Sequence, residues 1–202
     1  MVDREAAGPA LARAVQAAVA AGVDQVQVRE RRLAGDRLLA HAREIAAAAQ
    51  RGAQESGRAL RVVVNRRVDI ALAIAADGIH LGFDAMEIDA ARRLLGPRAC
   101  IGVSTHSVAE VAAVMGANHV HLAPIFAPLS KRGTRPALGL EAIAAAARTG
   151  VPVLAQGGIT AENAGDACRA GAAGVAVTGA ILLADDVADA TRALRAALNR
   201  AA

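Results

Sequence analysis

The stretch VPVLAQGGITAENAGDACRAGAAGVAVTGAI, residues 151–181, decides the fold. An apolar run (VLAQ, residues 153–156) ends on Gly157 and Gly158. A segment of helical period follows over residues 163–170, and a second apolar run (GVAV, 174–177) ends on Thr178 and Gly179. Two short apolar runs separated by a helix read as parallel strands, because a helical crossover returns the chain to the end of the sheet from which it started. The same unit recurs upstream. Further runs lie at residues 25–29 (QVQVR), 60–65 (LRVVVN), 78–81 (GIHL), 100–104 (CIGVS) and 119–122 (HVHL). Between them, residues 37–54, 86–95, 108–115 and 140–148 repeat apolar positions at three and four, and residues 10–21 form a leading helix.

Strands this short and apolar must be covered by helices, which leaves an open doubly wound sheet or a closed (β/α)8 barrel of the TIM type. Small turns of one kind precede several strands: AGVD before Gln25, AADG before Ile79, GAN before His119 and AGAAG before Val175. This quasi-repetition favours the closed barrel. Seven strands are legible, and residues 1–3 alone remain for one before the leading helix, so the expected fold is a TIM barrel with a truncated or missing first strand. Its domain spans residues 1–202 as one unit. A barrel open at that seam exposes strand edges that a second copy could cover, so a homodimer is a possible assembly.

Composition narrows the function. The chain lacks Trp and Tyr and has two Phe in 202 residues, which removes the aromatic platforms that single-stranded nucleic acids stack on. The net charge is +4, but the arginines are spread along helical segments beside acidic residues, so no nucleic-acid partner is expected. Cys100 and Cys168 sit in apolar runs without metal-ligand spacing and read as buried thiols of a reducing compartment. No metal site is expected from them. The longest uncharged stretch is broken by Gly, Asn, His and Pro, and no apolar signal core opens the chain. The expectation is a cytoplasmic protein without a membrane partner.

In a barrel the chemistry sits where strands end. Gln27, Arg29 and Arg31 share one face at the first run; Asn65, His80, Ser104 and His106 close or follow later ones. Gly157 and Gly158, with Thr178 and Gly179 at the next strand end, bring bare backbone to one place and read as a phosphate cradle. Lys131 is the single lysine among 23 basic residues and lies in a Pro-rich loop, where its ammonium would meet a second anion. His119 and His121 alternate with Val120 and Leu122, so both imidazoles are expected inside the barrel. An interior imidazole is a candidate proton carrier at neutral pH. His41 is expected on a solvated helix face.

These pieces resemble the thiamine phosphate synthase and TenI superfamily of (β/α)8 barrels. The resemblance rests on VQVRER (26–31), VVNRRVDIALA (63–73), ADGIHLG (76–82), IGVSTHS (101–107), APIFAPLSKRGTRPALGLE (123–141), QGGITAENA (156–164) and GVAVTGAI (174–181). It implies that Gln27, Arg29, Arg31, Asn65, Ser104 and Lys131 hold an aminopyrimidine diphosphate. It places a thiazole phosphate on Pro128, Leu129 and Ser130, on Gly158, and on Thr178 and Gly179. The synthases of this superfamily join the thiazole nitrogen to the pyrimidine methylene as diphosphate leaves, helped by magnesium.

Where those synthases carry two metal-binding aspartates, this chain has Arg66 and Ala85, with Asp84 one place away. Phe83 and Pro128 stand at two further changed positions. Magnesium is held by carboxylate and phosphate oxygens, so the expectation is that no metal or other cofactor is bound. That departure resembles the TenI branch, which includes a metal-free thiazole tautomerase, although its catalytic histidine falls on Pro124 here. The expected function is therefore thiazole tautomerisation, with His121 or His106 moving the proton, and Arg29 and Lys131 facing the substrate carboxylate. The alternative is a divergent thiamine-phosphate synthase in which Arg66 replaces the metal's charge and magnesium matters only if that reading holds. A third reading is a silent binding protein.

Overall fold

The computed structural model describes residues 10–82, 85–127 and 136–201. Chain order in this part is α1 (Leu11–Ala20), β1 (Gln25–Val28), α2 (Gly35–Ser56), β2 (Arg61–Asn65), α3 (Val68–Ala73), β3 (Gly78–Leu81), α4 (Ile88–Leu95) and β4 (Cys100–Thr105). It continues with α5 (Val108–Ala113), β5 (His119–Leu122), α6 (Gly139–Ala147), β6 (Val153–Gln156), α7 (Ala164–Arg169), β7 (Gly174–Ala176), α8 (Gly179–Leu182) and α9 (Val187–Asn199). All strand pairs are parallel, and the strands lie in sequence order from β1 to β7. The seven strands of the described residues curl into a barrel-like wall of the TIM type. Among the described residues no strand pairs with the outer edge of β1 or β7. No helix among them is long and apolar enough to cross a membrane.

The alternation of side chains along each strand sorts the two faces of this wall. On β3, Ile79 and Leu81 pack outward with Val68 and Ala91; on β5, Val120 and Leu122 join Val111, Ile143 and Ala146 under the helices. The intervening positions carry His80, His119 and His121, which face one another inside the barrel and are all buried. The helices follow the same logic. The buried face of α2 carries Leu38, His41, Ala42, Ile45, Ala48, Ala49 and Gly52, spaced by threes and fours. His41 is thus buried rather than solvated, because position 41 falls on the apolar stripe.

The small turns repeated before the strands have a concrete job at the bottom of the barrel. An acidic or amide residue just ahead of a strand reaches sideways to the neighbouring strand. Asp77 Oδ2 accepts from the Val62 N–H at 2.7 Å, and Asn118 Oδ1 accepts from the Ile101 N–H at 2.8 Å. Arg92 braces Asn118 by donating to its Oδ1 at 3.1 Å and to the Gly116 carbonyl at 2.8 Å. Asp24, ahead of β1, instead ties across the open seam. It accepts from Arg58 at 3.0 Å and pairs with Arg195 of α9, while Arg195 also donates to the Gly22 carbonyl at 2.6 Å. The described helices α1 and α9 therefore bridge the gap that β1 and β7 leave between them.

Burial works to raise the Asp24 carboxyl, but the hydrogen bonds from Arg195 and Arg58 outweigh it and hold the group below the ordinary carboxylate range. A carboxylate with a lowered folded-state value stabilises the fold above its unfolded value and loses that contribution as pH falls through the folded one. Asp24→Asn should therefore unfold at a lower temperature than the parent at pH 7, with the gap closing below pH ~4, as followed by circular dichroism. Asn118→Ala leaves the buried Ile101 N–H and the Arg92 guanidinium short of an acceptor. Urea unfolding should show a loss of about 1–3 kcal/mol.

Candidate active site

The glycine pair after β6 is forced by its neighbours. Gly157 and Gly158 both take left-handed backbone, at φ of 90° and 64°. A Cβ at Gly157 would lie 2.8 Å from Pro124 Cα, and one at Gly158 would lie 2.6 Å from the Ala127 carbonyl oxygen. The segment after β5 presses directly on this turn: the Ile125 N–H donates to the Gln156 carbonyl at 2.8 Å, and the Phe126 N–H to that of Gly157 at 3.0 Å. Asn163 pins the other side, its Nδ2 donating to the Gly158 carbonyl and its Oδ1 accepting from the Thr160 N–H, both at 2.9 Å. Because Gln156 pairs with Ala176, Thr178 and Gly179 follow the adjacent strand end, where α8 starts. Asn163 was absent from the sequence-derived site, although an Asn just ahead of a helix is a recognisable capping signal.

The polar groups from β1 to β4 meet on the other side of the opening. Gln27 is buried in β1, Arg29 is half-buried just beyond it, and Arg31 is exposed. Asn65 ends β2, and the Arg66 N–H after it donates to the His80 carbonyl at 2.9 Å. Arg66 itself sits in left-handed backbone at φ 64°, an uncommon state for a residue with a Cβ. Its side chain stands over Gly82, with Cδ and Nη1 both 3.9 Å from where a Cβ there would be. Ser104 Oγ lies 2.8 Å from His80 Nε2. Gln27, Asn65 and Ser104 are thus on β1, β2 and β4, with Arg29 just beyond β1 and Arg66 just beyond β2. Lys131 and Ser130, with Pro128, Leu129, Phe83 and Asp84, lie outside the described residues.

The residues at the two expected magnesium positions do not fit that ion. A guanidinium carries a fixed positive charge and donates only, and Ala85 offers no side-chain oxygen. The Glu30 carboxylate nearby is turned back onto the Arg32 N–H at 2.7 Å.

The histidines divide into two groups. His106 Nδ1–H donates to the Ala123 carbonyl at 2.8 Å, and its backbone N–H donates to Glu110 at 2.7 Å, so it fastens the loop after β4 to the segment after β5. His80, His119 and His121 lie deeper. Burial pushes His80 down to about 3, helped by the neighbouring His119, and lowers His119 and His121 as well, so all three are neutral at pH 7. His80 was considered only as a loop or substrate contact from sequence. Its place beside His119 and His121 depends on strand register.

Comparison with known proteins bears on which reaction this site serves. The family model described as thiamine monophosphate synthase matches residues 1–181. The thiamine-phosphate synthase of Methanoculleus marisnigri is 43% identical over 181 residues, covering 88% of this chain and 83% of the relative. That of Chloroflexus aurantiacus is 37% identical over 188 residues, covering 92% and 84%. The solved thiamine phosphate pyrophosphorylase of Pyrococcus furiosus superposes with a TM-score of 0.81 at 30% identity, covering 98% of this chain and 94% of the other.

These relatives overturn the tautomerase expectation, since they carry the synthase name at this level of identity. The isomerase reading took the loss of two carboxylates as the mark of a different branch. The remainder of the chain is synthase-like, and Pro124 occupies the position of the tautomerase histidine. With tautomerisation goes the reason for giving His121 or His106 a proton to carry. On this matched length and identity, the chain belongs to the thiamine monophosphate synthase family.

Proposed function

We propose that this chain is a thiamine-phosphate synthase, a transferase that joins an aminopyrimidine diphosphate to a thiazole phosphate. The observation that carries the reading is the pairing of two anion-suited ends on one barrel rim: the Gly157, Gly158, Thr178 and Gly179 turns on one side, and Arg29, Arg31 and Arg66 on the other. The thiazole phosphate sits on the glycine turns, where bare backbone approaches closely. Gln27, Arg29, Arg31, Asn65 and Ser104 hold the pyrimidine diphosphate together with Lys131, and Ser130 adds to the thiazole phosphate.

In the reaction the thiazole nitrogen attacks the pyrimidine methylene carbon. The C–O bond to the diphosphate breaks, and its electron pair leaves with the diphosphate. Negative charge grows on the bridging oxygen as that bond stretches, and a fixed cation at the rim stabilises it. Arg66 supplies that charge in this reading, which is the role the aspartate-held metal has in the synthases this chain resembles. The Arg66 side chain lies over Gly82, and its backbone takes the uncommon left-handed state.

Incubation with both substrates should yield thiamine phosphate, and the yield should persist in EDTA. Tight binding of both substrates without product, in EDTA or with magnesium, would sink the synthase reading. Arg66→Ala should lower kcat/KM for the diphosphate substrate by about 10²-fold, the usual effect of removing one charge-stabilising donor. Gly158→Ala meets the Ala127 carbonyl and should raise the KM for thiazole phosphate more than that for the diphosphate.

A further inference from the structure

We propose that His80, His119 and His121 form a binding site for a divalent transition-metal ion of the zinc class inside the barrel, below the substrate-binding rim. In the strand register, His80 pairs with Gly102, and Gly102 pairs with His119. Gly102 therefore sits between two inward imidazoles without a side chain to separate them. A Cβ there would lie 2.5 Å from His119 Nε2 and 2.8 Å from His80 Nδ1, so both nitrogens converge on the space above bare backbone. His121 stands at the next inward position of β5, with its ring centroid 4.3 Å from that of His80 and 5.4 Å from that of His119. One nitrogen from each residue can be chosen so that all three lie within 4.8 Å of one another.

The hydrogen bonding points the same way. All three side chains are buried, and among the described residues His80 Nδ1, His119 Nε2 and His121 Nε2 have no hydrogen-bond partner. A buried polar atom without a partner is uncommon, and three of them meet in this one cluster. Each imidazole also has a polar contact: His80 Nε2 meets Ser104 Oγ at 2.8 Å, His119 Nδ1 faces Cys100 Sγ at 3.9 Å, and His121 is hydrogen-bonded to the Gln156 side chain. Metal-binding histidines are oriented in this manner, by a contact at the ring nitrogen away from the ion. Burial keeps the imidazoles neutral, which is their ligating form.

The donor set names the class of ion. Three imidazoles suit zinc, cobalt, nickel, copper or iron and do not suit magnesium, which takes oxygen ligands. Zinc commonly takes three protein ligands and leaves a fourth position open. A cavity of about 1010 Å³ adjoins the cluster, and His119, His121, Gln25, Gln27 and Cys100 help to line it. Bonds of about 2.0–2.1 Å place tetrahedral ligand atoms roughly 3.3 Å apart, so the rings close inward by about 1 Å when the ion enters. Bound there, the ion ties β3 to β5 across β4, and through His80 it holds Ser104, a residue assigned above to the diphosphate.

The test uses untagged full-length protein, stripped with a chelator and titrated with Co²⁺ while its visible absorption is followed. The expected result is one equivalent bound with the strong bands of four-coordinate cobalt, displaced by one equivalent of Zn²⁺, and a higher unfolding temperature with zinc. Two variants separate ligation from folding: His119→Gln removes a ligand, and Gly102→Ala fills the space while keeping all three. Each should weaken Co²⁺ binding about 100-fold or more, with the far-ultraviolet circular dichroism of the parent. A parent protein that gives only the weak absorption of hydrated cobalt would overturn the site. So would either folded variant binding cobalt as tightly as the parent.

Discussion

The rest of the structure depends on a two-sided burial constraint on a parallel sheet. Every strand from β1 to β7 must hide one face under helices and the other inside the barrel, and the period of two assigns each residue to one or the other. Outward positions are filled by Val, Ile, Leu and Ala, which pack against α2 to α9. Inward positions include polar groups that a helix could cover only at a cost, namely Gln27, His80, Ser104, His119 and His121, beside apolar Val63 and Leu154. The polar interior is therefore a consequence of the alternation, and the strand ends above it inherit the same inward direction toward a shared opening.

A second constraint is the seam between β1 and β7. A closed barrel satisfies every edge by strand pairing; here the described residues bridge the gap from outside, through α1, α9 and the Arg195 contacts to Gly22 and Asp24. The cavity lies along this seam, which joins the buried histidines to the space between the first and last strands.

Much of the site was legible in the chain because strand-end chemistry is local. Gly157 and Gly158 must be glycines where the chain turns against Pro124 and Ala127, and a run ending in two glycines before a helix reads as such a turn. Gln27, Arg29 and Asn65 follow from counting along short strands. The reaction was misjudged because the absence of two carboxylates was weighed more heavily than the rest of the chain. In the proposed reaction Arg66 takes over the metal's charge, and the substrates stay the same. His41 was misplaced because a histidine is compatible with either face of a long helix, and only the stripe through Leu38, Ala42 and Ile45 decides which.

By itself, the sequence determined the alternation of short strands and helices, the inward direction of His119 and His121, and the turns suited to anions. Each is set by spacing within a few residues, where backbone geometry alone relates side chains to one another. Only the tertiary structure decided that His80 joins His119 and His121 over Gly102, that Asn163 locks the glycine turn, and that Arg195 spans the seam. These depend on register and on contacts between elements far apart in the chain, whose relative positions follow from packing rather than from any local period.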